Sequence, residues 1–124
     1  MPQLILATAA AFGLIAVALG AFAAHGLKHK LADNLLSAFQ TGVEYQMYHA
    51  LALLALAILV KLTPGNWLTA SAGLFILGTL LFSGSLYALA LTGARWLGPI
   101  TPIGGLCFML GWICLFIAAF KHLK

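Results

Sequence analysis

Acidic residues are almost missing from this sequence. Asp33 and Glu44 are the only two in 124 residues, and charged residues of both signs make up 6% of the chain. A soluble domain carries about 25%. Water does not solvate a surface so poor in charge, whereas lipid does. The basic residues Lys28, Lys30, Lys61, Arg95, Lys121 and Lys124 are scattered, and the formal net charge is +4. Scattered cations do not form the clustered basic stripe that holds phosphate backbones, so nucleic acid is not expected as a partner. They read as headgroup anchors and topology signals.

Other absences narrow the class further. No Lys or Arg precedes Lys28, so the start of the chain lacks the basic n-region of a cleavable signal peptide, and its apolar run exceeds an h-region. Cys107 and Cys114 share one apolar segment. Their helical separation of about 10 Å is too long for a disulfide within that helix, and they read as small packing residues. No segment alternates with a two-residue period, which excludes membrane strands. No nucleotide-binding loop or dinucleotide fingerprint is present. Neither Ser83 nor Ser85 lies in a GxSxG elbow, and no catalytic residue is assigned.

What is present is apolar: 64% of residues are hydrophobic and the mean hydropathy is +1.10. A bilayer core of about 30 Å needs about 20 helical residues. Four stretches qualify, at 3–24, 43–62, 67–92 and 101–120. Thr63-Pro64-Gly65-Asn66 is a turn signal. Gly98-Pro99-Ile100-Thr101-Pro102 closes one element and opens the next, with Pro102 suited to a first helical turn. Trp67, Tyr87 and Trp96 sit near predicted span ends, where interfacial aromatics gather. The expected fold is an all-α membrane protein, a single four-transmembrane-helix bundle over 1–124.

Between the first two spans, Leu27, Leu31, Leu35 and Phe39 recur every four residues among Lys28, Lys30, Asp33, Asn34, Ser37 and Gln40. This predicts an amphipathic interfacial helix over about 27–41. It reads as a connector whose apolar stripe packs on the bundle; a gate or partner-binding helix is the alternative. Four spans put both termini on one side, with Lys61, Lys121 and Lys124; Lys28, Lys30 and Arg95 fall opposite. Lys121 and Lys124 directly follow the last span, which favours cytoplasmic termini.

Helices in lipid associate through close approach of small residues. Ala16, Gly20 and Ala24 form one such stripe, Gly84 and Ala88 a shorter one, and Gly104, Cys107, Gly111, Cys114 and Ala118 a third. They serve either packing within the chain or contact between protomers.

Polar residues at membrane depth are where function would show. Thr41, Glu44, Tyr45, Tyr48 and His49 share about 140° of the second helix, with Gln46 off that face. His25 ends the first helix, and Thr79, Ser83 and Tyr87 share a face of the third, with Ser85 elsewhere on it. The candidate polar site is therefore His25, Glu44, Tyr45, Tyr48, His49, Ser83, Ser85 and Tyr87. Glu44 with His49 or His25 could be a proton relay or ion site, or a hydrogen-bonded clamp between helices; the clamp is the expectation, with Glu44 paired inside the protein. His25 and His49 could ligate a haem, and with Glu44 a metal. No HxxxH or paired Glu-x-x-His motif supports either, so no metal site and no cofactor is expected.

Four motifs then stand in order: Gly20-Ala21-Phe22-Ala23-Ala24-His25-Gly26-Leu27, Gln40-Thr41-Gly42-Val43-Glu44-Tyr45-Gln46-Met47-Tyr48-His49-Ala50, Leu81-Phe82-Ser83-Gly84-Ser85-Leu86-Tyr87, and Thr101-Pro102-Ile103-Gly104-Gly105. Together they resemble the small bacterial inner-membrane proteins classed as domain of unknown function 423, which are similar to eukaryotic transmembrane protein 256. The resemblance covers essentially the whole chain. One departure is Ala23-Ala24, where the family pattern often has a glycine before Ala-His. The resemblance implies a four-span plasma-membrane protein without an established activity and supports cytoplasmic termini. Its motif residues are His25, Gln40, Glu44, Tyr45, Gln46, His49, Ser83, Gly84, Ser85, Tyr87, Thr101, Pro102 and Gly104, none of which it makes catalytic.

The expected function is non-enzymatic, an accessory or lipid-associated helical bundle whose partners are the bilayer and a second copy or another membrane protein. A small transporter or channel with a polar path around Glu44, Tyr48 and His49 is the alternative, and a haem- or metal-binding membrane protein a third.

Overall fold

The computed structural model describes residues 1–123 and has no strand among them. Helix α1 (Pro2–His25) begins with Pro2 in its first turn, where a missing N–H is tolerated. Helix α2 spans Asp33–Leu62, α3 Asn66–Thr92 and α4 Ile100–Lys121. All four are long and apolar enough to cross a membrane. Gly93 ends α3 in the left-handed conformation, φ 72°, and returns its N–H to Leu89 O. Glycine reaches that region without a Cβ clash. A short 3₁₀ turn, Arg95–Leu97, leads into α4.

The segment 27–41 is not a separate helix. Residues 26–31 form turns, and from Asp33 the chain is helical without a break into the second span. Asp33 in the first turn suits the positive end of the helix dipole. The one helix-weakening residue along the way, Gly42, stands where α3 comes close: a Cβ there would lie 2.8 Å from the Tyr87 ring. At 30 residues, α2 is about 45 Å long, so its polar first turns extend past a hydrocarbon core of about 30 Å. The apolar stripe of this segment packs inward. Leu27 and Phe39 are buried with Ala23 and Ala90, and Leu31 and Leu35 lie against them, while Lys30 and Asn34 are exposed.

Consecutive helices are antiparallel neighbours, with α1 on α2, α2 on α3 and α3 on α4. The helices thus stand in series, and the bundle is open between α1 and α4. The main core lies between α1, α2, α3 and α4 around Leu53, Leu56, Leu68, Phe75 and Phe108. A second cluster around Phe39 sits at the connector end. The outer helices keep broad apolar faces exposed, including Leu14 and Val17 on α1 and Ile103, Met109, Phe116 and Phe120 on α4. In a bilayer such faces meet acyl chains.

Candidate functional site

Two residues one turn apart on α2 join it to every other helix. Gln46 is 4% exposed. Its Nε2 donates to Phe12 O of α1 at 2.8 Å, and its Oε1 accepts from the Tyr87 hydroxyl of α3 at 2.7 Å. His49 is equally buried. Its Nδ1 lies 2.8 Å from Tyr45 O, and a carbonyl only accepts, so Nδ1 carries the hydrogen. Nε2 is then an acceptor, and the Trp112 indole N–H of α4 donates to it at 3.1 Å. The ring lies flat on Phe108, with centroids 3.7 Å apart and 8° between planes, and meets the edge of Phe75 at 5.0 Å. A polar group buried without a partner is costly; here both ends of both side chains are satisfied.

The α3 hydroxyls do similar work at glycines. Ser83 donates to Gly42 O at 2.7 Å and Ser71 to Gly111 O at 2.8 Å. A Cβ on Gly111 would lie 2.6 Å from the Phe75 ring, and one on Gly104 would run into the Phe82 backbone. The missing side chains let α3 approach α2 and α4, and the same close approach brings the carbonyls within reach of serine. Ser85 gives its hydrogen to Phe82 O at 2.9 Å and meets Thr101 Oγ1 at 2.5 Å. Thr79 bonds back to Phe75 O within its own helix.

Of the polar constellation, His49, Ser83, Ser85 and Tyr87 are drawn into these contacts. Glu44, Tyr45, Tyr48 and His25 are exposed. The expectation that Glu44 pairs inside the protein is corrected: its side chain faces outward, and no hydrogen bond or ion pair reaches it among the described residues. The reason is angular. The buried residues Gly42, Gln46, Ala50, Leu53, Ala57 and Val60 centre almost opposite Glu44 on the helical wheel. Tyr48 shares Glu44's side, so a polar path through Glu44, Tyr48 and His49 has no continuous interior course. His25 lies almost one turn beyond Phe22, which meets Phe39, and Phe39 is ten residues before His49 on α2, or about 15 Å along the axis. The two histidines therefore do not face one haem iron. No group of three His, Cys, Asp or Glu is gathered for a metal among the described residues.

The small-residue stripes also divide. Ala16 is buried and Gly20 faces Val43, but Ala24 is exposed. The buried face of α1 is Ile5, Ala9, Ala16 and Ala23, offset by one residue from the stripe at its end. Gly104 and Gly111 lie against α3, with Cys107 and Cys114 half-buried beside them. Gly84 opens onto empty space, so the α3 contact is made instead at Gly78, where a Cβ would meet the Phe108 ring. Lys124 lies outside the described residues.

Ser71, Phe108 and Trp112 were not singled out in the sequence, and Gln46, named through the family resemblance, was left out of the polar site. The signal for Gln46 was available: Gly42, Ala50 and Ala57 mark the face on which it stands. Trp112 stands in the middle of its span, away from the ends where interfacial tryptophans gather, and that position was its available signal. Beside His49 a groove of about 450 Å³ opens between α2, α3 and α4, walled by Tyr45, Phe82, Phe108, Met109 and Trp112. Its lining is mostly apolar, and its one buried base is already hydrogen-bonded at both nitrogens.

Residues 19–105 match the family described as Protein of unknown function (DUF423). The chain is 49% identical over 111 residues to the UPF0382 membrane protein YwdK of Bacillus subtilis, covering 89% of this chain and 90% of the relative. It is 50% identical over 109 residues to a UPF0382 membrane protein of Haemophilus influenzae, covering 88% and 87%. It is 43% identical over 113 residues to the UPF0382 inner membrane protein YgdD of Escherichia coli, covering 91% and 86%. No solved structure matches it.

Proposed function

The chain belongs to the DUF423 family of membrane proteins, and on that premise we propose that it is a non-enzymatic, lipid-associated accessory bundle of the bacterial inner membrane. In this reading it self-associates or docks another membrane protein through its open faces. The observation that carries the reading is the use made of the buried polar side chains. Gln46, His49, Ser71, Ser83 and Ser85 each hold a neighbouring segment of the chain. None is left to act on a substrate, whereas the faces of α1 and α4 turned away from α2 and α3 remain apolar and uncovered. Chemistry inside a bundle needs polar groups poised with unused capacity; adhesion in a membrane needs open helix faces.

Inner-membrane placement is supported by the name of the Escherichia coli relative. Cytoplasmic termini are supported by Lys121 at the end of the last span. Reporter fusions at the C-terminus test the orientation: a fluorescent fusion should be bright and an alkaline phosphatase fusion inactive.

The test of function uses protein reconstituted in phospholipid vesicles and nanodiscs. Vesicles should hold ion and proton gradients as well as protein-free ones, no Soret absorption should accompany the purified protein, and the particle mass should be a multiple of 13.1 kDa. A gradient leak abolished by Glu44→Gln would overturn the reading in favour of transport. A Soret band would overturn it in favour of haem binding, and a strictly monomeric particle would remove self-association.

A further inference from the structure

The end of the bundle where α1 begins and α2 ends carries no acidic residue. Asp33 and Glu44, the only acids in the chain, both lie toward the opposite end of α2. Lys61 sits in the last turn of α2, and neither of the two acidic side chains lies at that end. It lines a cavity of about 470 Å³ between α1 and α2, together with Pro2, Gln3, Leu6, Ala57, Ile58 and Leu62. That volume is in the range of small-molecule sites. The polar groups, Gln3 and Lys61, are near the helix ends. Leu6 and Ala57 stand about one turn deeper.

A second cavity of about 230 Å³ lies farther along the same two helices. The two share Leu6, and the second is lined by Ala9, Ala10, Gly13, Met47, Ala50, Leu51 and Leu54. It is almost wholly apolar. From Lys61 to Met47 is fourteen residues of α2, or about 21 Å. One leaflet with its headgroup region is about 20–22 Å deep. The small residues Ala9, Ala10 and Gly13 leave the crevice open, and a Cβ on Gly13 would touch nothing within 4 Å.

We infer that this crevice is a binding site for a phospholipid with an anionic headgroup: the headgroup phosphate lies at Lys61 and Gln3, and one acyl chain runs along Leu6, Gly13, Met47 and Leu51. The charge on Lys61 selects an anionic headgroup over a zwitterionic one. The polar-to-apolar gradient and the leaflet-deep length select a lipid over a soluble anion, which would gain nothing from the apolar stretch. The site rests on the lipid-associated part of the proposed function and names the lipid class and its place.

The experiment is native mass spectrometry of the full chain released from nanodiscs of palmitoyl-oleoyl phosphatidylglycerol or the matching phosphatidylcholine. Wild-type protein should retain phosphatidylglycerol about fivefold over phosphatidylcholine, the ratio that one lysine near a headgroup supplies. Lys61→Gln should abolish that preference. Gly13→Phe, whose Cβ has open space around it and whose ring would occupy the crevice, should lower retention of both lipids; Ala10→Phe, from an exposed position beside it, repeats the test. Equal retention of the two lipids by wild type, or retention unchanged in Lys61→Gln or in both crevice-filling variants, would overturn the site. Oligomer mass is read from the same spectra. Loss of the lipid preference with the oligomer intact therefore separates failure of this site from failure of the accessory-bundle reading.

Discussion

The indole of Trp112 and the imidazole of His49 are joined by a 3.1 Å hydrogen bond that links α4 to α2 across 63 residues of chain. Because Nδ1 of His49 gives its hydrogen to Tyr45 O, the bond from Trp112 sets a neutral ring in one tautomer. That ring is in turn clamped between Phe108 and Phe75. The pair is therefore a cross-tie set in an aromatic core. Removing it should be measurable by a double-mutant cycle of His49→Phe and Trp112→Phe. Hydrogen bonds between membrane helices contribute about 0.6 kcal/mol on average and no more than about 1.7, and the coupling should fall in that range. Unfolding equilibria in mixed detergent micelles give the number. Strict additivity of the two single changes would mean that the bond contributes nothing.

Gln46 and Glu44 should respond in opposite ways. Gln46→Leu removes the bonds to Phe12 and Tyr87 and leaves the Tyr87 hydroxyl without its acceptor. It should destabilise by about 1–2 kcal/mol. Glu44→Gln should leave the thermal midpoint in detergent unchanged, because the side chain is exposed and makes no contact that the amide would lose. A midpoint lowered more by Glu44→Gln than by Gln46→Leu would place Glu44 against an unseen partner.

Glycine substitutions on α3 and α4 should separate by position. Gly104→Ala puts a methyl group into the Phe82 backbone, and overpacking of that kind costs about 1–3 kcal/mol. Gly84→Ala meets open space and should be neutral or stabilising by up to about 1 kcal/mol, the helix-propensity gain. Equal effects in a thermal-shift assay would show that the α3–α4 spacing tolerates a wider approach.

Accessibility along the start of α2 offers a different kind of check. With Cys107 and Cys114 replaced by Ser, single cysteines at Lys30 and Asn34 should react readily with a membrane-impermeant maleimide. Cysteines at Leu27 and Phe39, buried at 5% and 1% exposure, should react slowly. Uniform labelling of all four would mean that this end of the bundle does not close over its core.

The membrane class and four helical spans were legible because both depend on composition over long windows. Two acids in 124 residues leave no way to make a water-soluble surface, and a lipid solvent accepts only closed backbone hydrogen bonding. Thr63-Pro64-Gly65 and Gly98-Pro99 fall in the breaks, since proline and glycine act locally, while α3 already ends at Gly93. The continuity of α2 was less legible. Amphipathic spacing over 27–41 and apolar spacing beyond it look like two elements, but a helix needs only an unbroken run of permissive residues, and Asp33–Leu62 contains one.

What only the tertiary structure decided is which face of each helix is inside. In a span that is apolar all round, hydrophobic pattern does not mark the buried side, because lipid and protein interior are equally apolar. Glu44 invited burial by its cost, yet the packed face turned out to be centred on Gln46, where small residues admit α1 and α3. The His49–Trp112 tie joins residues whose meeting depends on how α2, α3 and α4 pack, and no spacing along the chain encodes that. The sequence by itself determined that this protein crosses a membrane four times, through length and hydropathy. The arrangement of polar ties and open faces was decided by close approach at Gly42, Gly104 and Gly111, a matter of a few ångströms between helices far apart in the chain.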